Sequence, residues 1–103
     1  EVTTFYVSKP LFYKELIIQG EKIINSKDQN SVFLTSLEKD ILILLFEGLK
    51  IEKKLLLETV LKLKKDTETK TIESHLTRIR KKLTSINSQV EIISKENMVF
   101  LVF

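Results

Sequence analysis

Residues 70–83 read KTIESHLTRIRKKL, and this segment has the clearest pattern in the chain. Its apolar residues recur at the spacing of an α-helix, at Ile72, Leu76, Ile79 and Leu83. At about 100° per residue, these four side chains form one narrow stripe. The segment therefore predicts an amphipathic helix that buries the stripe and leaves its other side exposed to solvent.

The opposite side of this predicted helix is cationic and carries small polar residues, namely Lys70, Ser74, Thr77, Arg78 and Lys81, with Thr71, Arg80 and Lys82 on the flanks. A helix of this kind fits the major groove of DNA, where an arginine can pair with a guanine edge and small residues permit close approach. A solvated, lysine-rich surface is the alternative interpretation of the same charges.

Composition limits the class of protein. With 103 residues, 43% of them hydrophobic, the sequence predicts one globular domain. The absence of cysteine excludes disulfides and thiolate chemistry, and it fits a reducing compartment, from which we expect a cytoplasmic location. No run of eighteen apolar residues is present, so we expect no membrane contact. The chain begins at Glu1 rather than at methionine, and we expect it to be a piece of a longer protein.

The positive charge is concentrated in one third of the chain. The net charge is +3, but residues 62–82 contain eight Lys or Arg residues and three acidic residues. Such a concentration would attract a polyanion toward one face.

The chain has few residues of the types that catalytic sites use. It has two glycines, no phosphate-binding loop and a single histidine, His75. The sequence therefore predicts a protein that is not an enzyme and that has no cofactor and no metal.

The first third of the chain has β character. Short apolar or β-branched runs occur at residues 2–7, 11–13, 16–18, 22–24 and 32–34. Gln19-Gly20-Glu21 separates two of these runs as a tight hairpin turn would. These features predict an antiparallel sheet with one covered face.

Helical signals follow the sheet. Thr35 and Glu38 have the spacing of a capping box, and Gly48 lies where a left-handed residue would end the first helix. A second helix is predicted from about residue 52 to residue 63, and the third is the amphipathic helix, which should end near residues 84–85. Two β runs, 90–93 and 99–103, then predict a hairpin in which Asn97 takes a positive φ.

This order of elements predicts an α+β fold, a winged helix-turn-helix with an N-terminal antiparallel β-sheet, three helices and a C-terminal β-hairpin as the wing. Residues 1–103 would form a single domain. Within it, residues 1–34 would be the sheet, residues 35–85 the three-helix core and residues 86–103 the wing hairpin.

Three blocks of sequence resemble the OmpR/PhoB-type winged-helix DNA-binding domain, the output domain of many two-component response regulators. LTSLE at residues 34–38 resembles its first-helix motif, LLETVL at 56–61 the end of its second helix, and residues 70–83 its recognition-helix signature. Several positions depart from the pattern, among them Glu52, which replaces the usual serine cap of the second helix. Leu61 replaces a usual tryptophan, and Glu96 stands, in a turn without glycines, where an arginine often enters the minor groove.

The resemblance implies roles for particular residues. Arg78 would read a base edge, with Ser74 and Thr77 beside it in the groove. Phosphates or the nearby DNA backbone would be contacted by Lys70, Thr71, His75, Arg80 and Lys81, and Lys95 would be the only cation of the wing turn. The loop from Lys62 to Thr69 corresponds to one through which some members of the family contact RNA polymerase.

The resemblance also implies an upstream receiver domain and binding as a dimer on repeated DNA half-sites. From the residues and the resemblance together, we expect sequence-specific binding of double-stranded DNA as the output domain of a two-component-type transcriptional regulator. The alternative is a winged-helix protein–protein interaction module that has lost or weakened DNA binding.

Overall fold

The computed structural model describes residues 10–61 and 70–103 of the chain. This part of the chain has an α+β architecture, with a four-stranded sheet, three helices and a C-terminal hairpin that belongs to a second sheet. In chain order the elements are β1 (Leu11–Tyr13), β2 (Leu16–Gln19), β3 (Lys22–Asn25), β4 (Asn30–Phe33), α1 (Ser36–Gly48), β5 (Lys50–Glu52), α2 (Lys53–Leu56), a π-helical turn (Leu57–Leu61), α3 (Lys70–Ser85), β6 (Glu91–Lys95) and β7 (Met98–Val102). The predicted β run at residues 2–7 lies outside the described residues.

The four strands β1 to β4 pair antiparallel in chain order, which confirms the predicted N-terminal sheet. Side chains alternate between the two faces of a strand. Leu16, Ile18 and Ile23 therefore share one face and are buried in the core, whereas Phe12 and Phe33 are exposed on the other face. The sheet therefore has one covered face, as the sequence predicts.

The predicted capping box begins α1. The Glu38 amide donates to Thr35 Oγ1 at 3.1 Å, and the Thr35 amide donates to Glu38 Oε1 at 3.0 Å. These two bonds satisfy amides that the first helical turn leaves without an intrahelical partner. The helix start is therefore fixed by a local sequence motif.

The end of α1 differs from the prediction. Gly48 is still helical, and Leu49 takes the left-handed conformation, with φ of 66°. The Leu49 carbonyl accepts a hydrogen bond from the Leu101 amide, and the next residue enters β5. Pairing with the C-terminal hairpin thus determines where the chain turns, and the prediction of Gly48 as the left-handed residue was wrong.

Strand β5 has no counterpart in the sequence prediction, which places residue 52 at the start of the second helix. The strand exists through its antiparallel pairing with β7, in which Ile51 faces Val99. Glu52 then stands at the N-cap of α2 without a side-chain capping bond, and four α-helical residues continue into the π-helical turn. Leu56 and Leu57 from this region are buried in the core.

Helix α3 is the amphipathic helix that the sequence predicts. Its apolar stripe is at most 3% exposed at every position, Ile72, Leu76, Ile79 and Leu83. The stripe belongs to one core with residues of α1 and both sheets. Its burial confirms the predicted orientation of the helix.

The C-terminal hairpin is present, and the sheet order β5-β7-β6 makes β7 the central strand. Its two-residue turn places the positive φ at Glu96 rather than at the predicted Asn97. The first residue of the turn after β1, Lys14, also has a positive φ, and so does the first residue of the turn after β2, Gly20. A positive φ at the first central position suits the twist of paired strands, which explains the difference.

Buried polar contacts join the N-terminal sheet to the segment after α3. Asn25 Nδ2 donates to the Ile86 carbonyl at 2.8 Å. Glu15 Oε2 accepts from the Ser88 hydroxyl at 2.8 Å and from the Gln89 amide at 2.9 Å. These contacts fix the C-terminal end of α3 against the first sheet.

We predict that Leu76→Ala lowers the free energy of unfolding by about 2–5 kcal/mol, because it leaves a cavity in the core. Urea denaturation followed by circular dichroism measures this loss. Lys81→Ala, on the exposed side of α3, is the control and should stay within about 0.5 kcal/mol of the parent. Equal stabilities for the two variants would contradict the assignment of the buried stripe.

Candidate nucleic-acid interface

The exposed side of α3 carries Ser74, Thr77, Arg78 and Lys81, and we call these four residues the basic face. All four are exposed, whereas the apolar stripe of the same helix is buried. The sequence predicts that the side of α3 opposite the apolar stripe is cationic and exposed, and the basic face has both properties. Its two cations could contact an anionic partner without rearrangement of the core.

A pair between Lys82 and Glu38 holds α3 against the start of α1. Lys82 Nζ lies 2.6 Å from Glu38 Oε1 and donates to the Phe33 carbonyl at 3.0 Å. Burial raises the pKa of the Glu38 carboxyl, but the bonds from Lys82 and from the Thr35 amide outweigh burial, so the pKa lies below its ordinary value. Lys82 therefore orients α3 and does not belong to the basic face.

Glu73 connects three elements at the start of α3. Its Oε2 accepts a hydrogen bond from the Ser94 hydroxyl of β6 and lies 2.9 Å from Lys53 Nζ of α2. Arg80 Nη1 lies 3.7 Å from Glu73 Oε1. The Ser94 bond is the main cause that lowers the pKa of the Glu73 carboxyl; burial opposes the shift, and Lys53 and Arg80 reinforce it.

Arg80 packs against the hairpin. Its Nε donates to the Ile92 carbonyl of β6 at 2.9 Å, and its side chain is half-buried. Together with the Glu73–Ser94 bond, this contact fixes the hairpin beside α3. Phosphate contact by Arg80 stays a prediction.

The remaining predicted site residues lie outside the basic face or outside the described side chains. Helix α3 begins at Lys70, but the side chains of Lys70 and Thr71 lie outside the described residues, as does the loop at 62–69. His75 is half-buried on α3. Lys95 is exposed at the end of β6, on the strand face opposite to Ser94, because successive strand residues alternate. The structure thus brings four predicted residues together on the basic face and places Lys95 elsewhere.

Sequence reasoning missed Glu73 as the residue that joins α2, α3 and the hairpin. One signal was present, because Glu73 and Arg80 are seven residues apart and so lie on the same side of a helix. Lys53 and Ser94 carry no comparable signal, since only tertiary packing brings them to Glu73. The Glu38 pair with Lys82 was missed for the same reason.

Residues 10–61 and 70–103 contain neither a metal-binding cluster nor a membrane-spanning helix. No group of three or more His, Asp or Glu side chains there could hold a metal ion. None of the helices in these ranges has the length and apolar character that crossing a membrane requires.

Comparison with known proteins found no protein-family model and no curated protein that matches the chain. The geometry of α3 and the motif resemblance are therefore the features that point to a function.

We predict that the chain loses stability in acid. In the described part of the chain, the carboxyls of Glu15, Glu38 and Glu73 have lowered pKa values in the folded state. A carboxyl whose pKa is lower in the folded state stabilises the fold when the pH is above its ordinary pKa of 4.5. This stabilisation is lost as the pH falls through the pKa of the folded state. Urea midpoints should therefore be nearly constant from about pH 7 to about pH 5.5 and decline below about pH 4.5.

Glu38→Gln tests the origin of this decline. Glutamine can keep the capping bond but loses the charged bond to Lys82, so we expect a loss of about 1–3 kcal/mol at pH 7 and a smaller decline in acid. Glu91→Gln, at an exposed position of β6, is the matched control and should follow the parent. Parent-like stability and acid sensitivity in Glu38→Gln would contradict the assignment.

Proposed function

We propose that the chain is a winged-helix domain that binds double-stranded DNA in a sequence-specific manner through α3. One observation carries this proposal, namely the division of α3 into a fully buried apolar stripe and an exposed basic face. A helix attached to the core along one side can present the other side as a rigid unit.

The dimensions and chemistry of α3 suit the major groove. An α-helix with its side chains is about 10–12 Å across, close to the groove width of about 12 Å. Arg78 would pair with a guanine edge, with Ser74 and Thr77 close to the neighbouring bases. Lys81, together with Lys70 and Thr71, would hold phosphates and so position the helix.

The wider assignment rests on the motif resemblance at residues 34–38, 56–61 and 70–83. As part of the proposal, the domain is the output domain of a two-component-type transcriptional regulator in the cytoplasm. It binds DNA as a dimer on repeated half-sites. The loop at residues 62–69 is its contact with RNA polymerase.

Arg78→Ala and Lys81→Ala test the proposal on a duplex selected from a random pool by the parent chain and on a scrambled duplex. Arg78→Ala should lose about 1–3 kcal/mol on the selected duplex and relax the preference at one position. Lys81→Ala should weaken both duplexes alike and reduce the slope of log K against log salt by about 0.9. Fluorescence anisotropy measures both quantities. Parent-like affinity of Arg78→Ala for the selected duplex would contradict the proposal.

A protein-interaction module is the second candidate function. Two aromatic side chains on the outer face of the first sheet favour it, since Phe12 is 66% exposed and Phe33 is 67% exposed. Glu96 at the exposed tip of the hairpin would repel phosphate. Affinity for DNA as a function of salt separates the candidates. A steep loss of affinity between low and moderate salt supports DNA binding, and no binding at low salt supports the second candidate.

A further inference from the structure

Thr77 lies between Ser74 and Lys81 along the axis of α3, adjacent to Arg78 in sequence, and is exposed. Its hydroxyl Oγ1 donates a hydrogen bond to the Glu73 carbonyl of the preceding turn at 2.9 Å. Threonine forms this bond readily in a helix, because its rotamers allow Oγ1 to reach the carbonyl four residues earlier. The donor capacity of the Thr77 hydroxyl is therefore used inside α3.

The group that Thr77 then offers to a ligand is its γ-methyl. A methyl group on a surface otherwise made of cations and a serine is selective, because it gains free energy only against another apolar group. In the major groove the apolar group on a base edge is the C5-methyl of thymine, and a threonine methyl is one of its usual partners.

We propose that Thr77 is a specificity-determining residue that reads the C5-methyl of a thymine beside the base read by Arg78. This inference rests on the proposed DNA-binding function and gives that site a defined base preference. The contact is apolar, so it discriminates thymine from cytosine and from deoxyuridine by the methyl group alone.

The alternative role for Thr77 is a hydrogen bond from its hydroxyl to a base. That role requires either the loss of the bond to the Glu73 carbonyl or use of the hydroxyl only as an acceptor. Two substitutions separate the roles. Thr77→Val keeps a methyl in the same shape and removes the hydroxyl, whereas Thr77→Ser keeps the hydroxyl and removes the methyl.

Helix α3 supplies a matched control in Thr84. Its hydroxyl also donates to the carbonyl four residues earlier, that of Arg80, at 3.1 Å, and Thr84 is also exposed. Thr84 lies seven residues beyond Thr77, two turns or about 10.5 Å along the helix. Thr84→Ser therefore makes the same chemical change near the end of α3, away from Arg78.

The experiment uses duplexes that the parent chain selects from a random pool, each also synthesised with deoxyuridine at one thymine at a time. Arg78→Ala identifies the base position at which sequence preference is lost. At one thymine adjacent to that position, replacement by deoxyuridine should weaken binding by the parent chain about fourfold. This ratio is expected for the burial of one methyl group. Thr77→Val and Thr84→Ser should keep this sensitivity. Thr77→Ser should bind the thymine and deoxyuridine duplexes equally.

Other outcomes overturn the inference in distinguishable ways. If no sequence is selected even at low salt, the proposed function fails and the inference fails with it. If a sequence is selected and Arg78→Ala relaxes it, but no thymine shows methyl sensitivity, only the inference is overturned. The inference is also overturned if Thr77→Ser still binds the thymine duplex more tightly than the deoxyuridine duplex. It is overturned as well if Thr77→Val loses sequence preference while Thr77→Ser keeps it.

Discussion

Burial of the apolar stripe of α3 fixes how this helix packs against α1 and the two sheets. Ile72, Leu76, Ile79 and Leu83 are all withdrawn from water, and each such side chain contributes about 1.5–3 kcal/mol to folding. Rotating α3 would expose these residues and bring cations into the core, where an unpaired charge is very costly. The core thus forces Arg78 and Lys81 outward, whatever they bind.

Polar contacts refine the orientation that burial imposes. Lys82 attaches α3 to the start of α1 through Glu38, and Glu73 attaches it to α2 and to the hairpin. Arg80 adds a second bond to the hairpin at Ile92. These contacts use several cations and carboxylates inside the structure, so the positive charge of the sequence overstates the charge available to a partner.

Features determined by local pattern were predictable from the sequence. The apolar stripe of α3, the Thr35–Glu38 capping box and the turn at Gly20 all follow from residue spacing or type. Features determined by distant pairing were not. Strand β5 and the left-handed Leu49 both depend on β7, about fifty residues further along the chain. For the site, periodicity predicted the basic face, but only the fold brings Ser94 and Lys53 to Glu73.

We propose that the basic face of α3 is the surface that meets double-stranded DNA. Backbone amide chemical shifts of the isotopically labelled chain, followed during titration with a selected duplex, test it most directly. We expect the largest shift changes along α3 at Ser74, Thr77, Arg78 and Lys81, and small changes around Phe12 and Phe33. Changes centred on that outer sheet face, or no changes at low salt, would contradict it.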